Sequence, residues 1–184
     1  MQTGMKPVAI ERPAADEYNE YYQGYVSQVT ESDLLGVLTT QPNDVGAVFG
    51  SLDESKGSFS YAEGKWTVKE MLSHIVDGER HFAYRVLRIS RGDTTPIEGF
   101  EQDLYIENSH ANERTFKDMI DEFAELRSAN LRQLRNFDEA DWPRRGTASG
   151  NPFTVRALGY IMAGHVRHHL NVLRERYLIG FVNS

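Results

Sequence analysis

The chain has no cysteine among its 184 residues, which excludes both a disulfide framework and a thiolate metal site. Any metal must be held by histidine, carboxylate or water. Long apolar runs are missing as well: nowhere do ~18 apolar residues follow one another, as a membrane-spanning helix needs. Residues 1–11 lack the form of a signal peptide. With the cysteine-free composition, this predicts a cytoplasmic protein with no membrane partner. Also missing is any block of Lys and Arg interleaved with aromatics, and the net charge of −7 opposes binding to phosphate backbones. Nucleic acid is not an expected partner. Alternation of apolar and polar residues, the sign of a half-buried strand, is nearly absent.

What remains is helical periodicity in an ordinary globular composition, 40% hydrophobic and 26% charged. Residues 1–15, with Pro7 and Pro13, read as an extended arm, and 16–184 as a single domain. A tyrosine-bearing helical region leads to a first long helix capped by Thr30 with Asp33, or by Ser32. Pro42 predicts a break, after which Asn43 opens a shorter helix through Val45, Val48, Phe49 and Leu52. The second long helix starts clearly: Thr67, with Glu70 three residues on, forms a capping box. Val68, Leu72, Ile75, Val76, Phe82, Val86 and Leu87 make its apolar face, and Arg91-Gly92-Asp93 ends it. A loop of roughly 20 residues follows, a length often found in functional lids. The third long helix covers about 113–136, residues 138–151 form a polar connection, and Thr154 opens the last helix. The fold class predicted is all-α: a four-helix bundle with an additional short helix and a long loop between the second and third long helices.

Half of the six histidines fall in Gly164-His165-Val166-Arg167-His168-His169-Leu170 of the last helix. At ~100° per residue, with His165 as zero, the apolar stripe centres near about 50°, His169 lies at about 40°, and His168 at about −60°. His165 and His169 therefore share the buried face one turn apart, while His168 lies at its edge. Two buried imidazoles need partners, and a divalent metal satisfies both. The competing reading is a pair of core histidines bonded to backbone or carboxylate.

A site with an open position commonly has three protein ligands, and His74 on the second helix is the best third. Its angle is unfavourable, ~130° from the centre of that helix's apolar face. Gly78, one turn on, leaves room above His74 for a ligand, or else permits close helix packing. His81 lies ~10 Å along the axis from His74, too far to share the metal, and His110 is expected in solvent. Asp77 and Glu79 are either second-rank members of the site or, more commonly for such positions, carboxylates on an exposed face. Val166 stands where a His-Glu-x-x-His metalloprotease has its glutamate, so that chemistry is not expected.

Tyr61-Ala62-Glu63-Gly64-Lys65-Trp66-Thr67-Val68-Lys69-Glu70-Met71-Leu72-Ser73-His74, followed by Asp77 and Glu79, resembles the second-helix signature of the DinB-like (DinB/YfiT) metal-binding superfamily. Gly164-His165-Val166-Arg167-His168-His169 resembles its last-helix signature, and the likeness runs over about 16–177. It implies a four-helix bundle, often dimeric, with a divalent metal held by His74, His165 and His169. Its members include bacillithiol- and mycothiol-dependent S-transferases, a thiol-dependent maleylpyruvate isomerase, and proteins assigned as metal-dependent hydrolases, many without a known reaction. The expected cofactor is zinc or nickel, with iron and manganese the other candidates. The expected partner is a small thiol or another small substrate, and the expected assembly is a homodimer. Thiol transfer leads, hydrolysis by metal-activated water is the alternative, and a structural or regulatory metal is the third.

Overall fold

The computed structural model describes residues 10–179; positions 1–9 of the expected arm and 180–184 of the expected domain lie outside that range. Single turns of 3-10 helix at Ala15–Glu17 and Glu20–Tyr22 lead into α1, Gln23–Val26. The first long helix, α2, is Leu34–Phe49, with Asp33 as its N-cap accepting from Gly36 N. It continues through Pro42, where the sequence predicts a break. Proline lacks the N–H that would reach the carbonyl four residues back, so the Leu38 carbonyl loses its helical donor. Arg127 Nη1 supplies one from another helix at 3.1 Å. The short helix expected after Pro42 is the second half of α2.

The second long helix, α3, is Val68–Ser90, and its capping box forms as the sequence predicts. Thr67 Oγ1 accepts from Glu70 N at 3.1 Å while Glu70 Oε2 accepts from Thr67 N at 2.7 Å. Within the long loop that follows, a short helix forms, α4 at Gln102–Glu107. The third long helix, α5, is Phe116–Leu134, capped by Thr115. The connection after it is not wholly irregular: β1, Arg145–Ala148, pairs antiparallel with β2, Asn151–Thr154. Ser149 and Gly150 join the strands, both at positive φ, 49° and 73°, as a tight two-residue hairpin turn requires. Thr154, at the end of β2, is also the N-cap of the last long helix, α6, Val155–Val172, which runs on into a π-helical stretch at Leu173–Leu178.

The four long helices close a square, α3 packing on α6 and α5, and α2 on the same two. Their apolar side chains form two buried clusters. One gathers Leu34, Leu38, Phe82, Leu131 and Leu158; the other gathers Phe49, Leu72, Phe123, Val166 and Leu173. Between them, at mid-height, lies a buried polar layer. Arg127 donates through Nε and Nη2 to the two carboxylate oxygens of Glu79, each at 2.8 Å. It also donates to Gln41 Oε1 at 2.7 Å, and Gln41 passes a bond on to the Ala163 carbonyl at 2.7 Å. Asn130 completes Glu79 at 2.8 Å. All four long helices take part, and every member is satisfied, as a buried charge requires. Among the described residues no helix is long and apolar enough to cross a membrane.

Candidate metal centre

The layer sets the level at which the histidines meet. On α6, His165 follows Ala163 by two residues; on α3, His74 lies one turn before Gly78 and Glu79. His74, His165 and His169 are all buried, and one nitrogen from each lies within 4.8 Å of the other two. The Nε2 atoms of His165 and His74 are 2.9 Å apart. His169 Nε2 is buried with no hydrogen-bond partner among the described residues.

Burial is the main cause that lowers all three pKa values. That of His74 falls to about 4, partly countered by the Asp103 carboxylate; those of His165 and His169 fall well below the usual range, the first pushed further by the His169, His74 and His168 rings and the second by those of His74 and His168. Three neutral rings with converging lone pairs, one of them orphaned, are a donor set that fits a divalent cation.

His74 is 5% exposed, although the sequence predicts it to one side of the apolar face. Fifteen of the 23 residues of α3 are buried, because α5 and α6 cover two sides and the Trp66 ring packs at a tilt against His74, 4.7 Å between centroids. The buried arc is wider than the apolar stripe. Gly78 makes room for a ring, but not above His74: a Cβ there would lie 2.5 Å from Cε1 of His165, which reaches in from the neighbouring α6. Tyr25 and Phe82 wall the His165 ring at 5.5 and 5.4 Å.

Two cavities reach the triad. The first, about 380 Å³, touches His74 and His165 and extends past Phe82 and Phe100 to Arg85 and Ser149. The second, about 350 Å³, touches His169 and is lined by Trp66, Lys65, Asp103 and His168. Gln102 of α4 lines both, so the long loop lies over the divide between them.

His168 is outside the triad, half-buried, with its ring 5.1 Å from that of Tyr25. His81 stacks on Phe100 of the long loop at 3.7 Å, and His110 is exposed as the sequence predicts. Glu79 corrects the expectation of an exposed-face carboxylate: it is 2% exposed and belongs to the polar layer. Asp77 is half-buried, and burial raises its carboxyl despite Arg80; neither joins the three ligand atoms. Sequence reasoning passed over Arg85 and Asp103. The signal for Arg85 was present, since a spacing of eleven residues puts it on the His74 side of α3; Asp103 had none, because a loop has no period.

The model of the DinB superfamily matches residues 38–173, a span holding both histidine-bearing helices. The chain belongs to the DinB superfamily. Among solved structures, this DinB-superfamily chain is similar to YfiT from Bacillus subtilis, described as "a probable metal-dependent hydrolase with an unusual four-helix bundle topology". The TM-score is 0.66 at 18% identity, covering 91% of this chain and 94% of that one. It is also similar to a mycothiol-dependent maleylpyruvate isomerase, with TM-score 0.63 at 13% identity over 79% of this chain and 61% of that one. At such identities the likeness is one of fold, and it agrees with the four-helix bundle predicted from sequence. A protein of Oceanobacillus iheyensis named "Putative metal-dependent hydrolase" is 28% identical over 82 residues, 42% of this chain and 47% of its own. The chain thus spans about half the length of that relative.

Proposed function

We propose that this chain is a divalent-metal enzyme that joins a low-molecular-weight thiol to a small electrophilic substrate, with His74, His165 and His169 as the metal ligands. The observation that carries this reading is the position of the triad between two cavities of similar volume, one for each reactant. A bound divalent cation supplies Lewis acidity, favouring the deprotonated form of a thiol or water at its remaining position. The other work falls to side chains. Burial keeps the three imidazoles neutral, so their lone pairs are free to coordinate. Phe82 and Tyr25 exclude water on one side of the site and Trp66 on the other. Asp103, whose field reaches His74, takes the released proton. An all-nitrogen set suits zinc or nickel, with iron and manganese next.

Asp103 also supports a second reading, hydrolysis, in which it would accept the proton of the attacking water; the names of two relatives point the same way. Titrating the cobalt-loaded protein with bacillithiol- and mycothiol-type thiols separates the two. A thiolate-to-cobalt charge-transfer band is expected. Its absence with every thiol, together with ester or amide turnover, would assign hydrolysis instead. The ligand assignment has its own test: His165→Ala and His169→Ala should each lower metal content by elemental analysis, and unchanged content would defeat it. The same reading keeps residues 16–184 as one domain and, from the family resemblance, a homodimer, which light scattering after size exclusion tests.

A further inference from the structure

Two arginines are fully buried among the described residues, Arg127 and Arg85, and the fold treats them differently. Arg127 is neutralised by both oxygens of Glu79 and further held by Gln41 and a carbonyl. Arg85, 2% exposed, has no carboxylate within ion-pair distance among the described residues. Its partners are two neutral hydroxyls: Ser149 Oγ, which accepts from Nη2 at 2.8 Å, and the Tyr22 hydroxyl, 3.5 Å from Nη1. The rings of Phe153 and Phe82 flank it at 5.7 and 6.0 Å. Glu101, the acidic side chain lining the same cavity, is exposed and forms no ion pair with it. A desolvated guanidinium with donors to spare is costly unless an anion meets it.

Arg85 lies at one end of the cavity whose other end is His74 and His165. Eleven residues separate it from His74, about three turns or ~16 Å along α3 and within about 20° of the same direction. Side chains on a helix tilt toward its N-terminus, so the guanidinium reaches back toward the histidines. Ser149 is held in place by the hairpin turn between β1 and β2. The two-residue turn sets its φ at 49°, and its N–H is tied to the Ile97 carbonyl at 2.9 Å.

We propose that Arg85, with the hydroxyls of Ser149 and Tyr22, is the anion-recognition end of the first cavity, and that the substrate entering it carries a carboxylate at the end remote from the reacting atoms. This rests on the small-molecule reading of the metal site. A carboxylate matches the planar fork of the guanidinium with two parallel bonds, and the aromatic walls between Arg85 and the triad suit an apolar middle. Ser149 and Tyr22 are positioning residues that hold the fork open.

The test uses 3-phenylpropanoate and its neutral counterpart 3-phenylpropanamide as probes, titrated calorimetrically into the zinc-loaded protein. The carboxylate should bind at least ~10-fold more tightly than the amide, and Arg85→Met should erase that difference while leaving metal content unchanged. Arg85→Lys should keep attraction but lose part of the preference, because its point charge cannot make the bidentate pair. Equal binding of the carboxylate to wild type and Arg85→Met would overturn the proposal, as would tighter binding of methyl phosphate than of the carboxylate. Thermal unfolding guards against a structural explanation: Arg85→Met should hold or raise the Tm of the ligand-free protein, since it removes an unmet buried charge, whereas Arg127→Met should lower it. A fall for Arg85→Met as large as that for Arg127→Met would make Arg85 a structural residue and end the proposal. Repeating the titration after chelation separates the two readings. Carboxylate preference that survives metal removal stands on Arg85 alone, whereas preference that vanishes with the metal and persists in Arg85→Met belongs to the metal and sinks this inference without touching the ligand assignment.

Discussion

Gly78→Ala adds one carbon at the most crowded point of the candidate site. That carbon would lie 2.5 Å from Cε1, 3.0 Å from Nδ1 and 3.3 Å from Nε2 of His165, where ordinary contact begins at 3.4 Å. The ring must therefore move by about 1 Å, away from its present place between Tyr25 and Phe82 and from His74 Nε2 at 2.9 Å. Two terms set the stability change. Alanine is better than glycine in a helix by ~1 kcal/mol, and overpacking a dense core costs ~1–3 kcal/mol. The metal-free variant should therefore lose about 0–2 kcal/mol, a Tm drop of several degrees at most at ~2–4 °C per kcal/mol for a chain of this length. Metal affinity should suffer more, because ligand distances are tolerated only within ~0.2 Å; the expected loss is at least ~10–100-fold, the range seen when a ligand's supporting contacts are disturbed. Chelator competition with zinc measures the affinity and calorimetry of the metal-free protein the stability. Gly46→Ala on α2 is the control: its added carbon meets only Ile120 Cγ2, at 3.6 Å, so it should gain up to ~1 kcal/mol with zinc affinity untouched. Wild-type zinc affinity in Gly78→Ala would refute the reasoning that this glycine exists to seat His165.

Removing one partner from a buried ion pair leaves the other charge stranded, so Glu79→Ala should destabilise by ~3–5 kcal/mol in chemical denaturation, and Glu79→Leu with Arg127→Met together should recover much of that; equal losses in single and double variants would count against the pair. Acid should loosen the junction between the N-terminal segment and α6. Burial would raise the Glu17 carboxyl, but hydrogen bonds from Arg156, Thr154 and the Ala14 N–H outweigh it and bring the pKa from 4.5 down to about 2. A depressed folded pKa gives stability that is complete above pH 4.5 and is lost as pH falls through about 2, roughly 3 kcal/mol in all; Glu17→Gln should flatten the stability–pH curve over that window, and an unchanged slope would show that other carboxylates govern it.

Local signals were legible where their causes are local. The capping box of Thr67 and Glu70 and the one-turn spacing of His165 and His169 depend on neighbours in sequence, and both stand in the structure as read. Pro42 misleads because its remedy comes from Arg127, 85 positions on, and nothing near position 42 announces a guanidinium that will serve the Leu38 carbonyl. Glu79 misleads for the same reason, since its burial depends on the same arginine. Helical arithmetic placed His74 at the margin because it follows the apolar stripe, whereas burial on α3 follows how many neighbours surround it. The hairpin at Arg145–Thr154 has strands of only four residues, too short for alternation to register; Ser149-Gly150 was its one visible sign.

The polar layer has a consequence for alignment. Four amphipathic helices with continuous apolar stripes could slide along one another by a turn and bury nearly the same surface. Such a slip is ~5.4 Å, more than the 4.8 Å within which the three ligand nitrogens lie. An inter-helix triad would not survive it. With Arg127, Glu79 and Gln41 tied across the bundle, a slip would set a guanidinium and a carboxylate against phenylalanine and leucine, so only one register is open to the helices. The polar layer, none of whose side chains joins the triad, thus acts as the gauge by which His74 on one helix finds His165 and His169 on another.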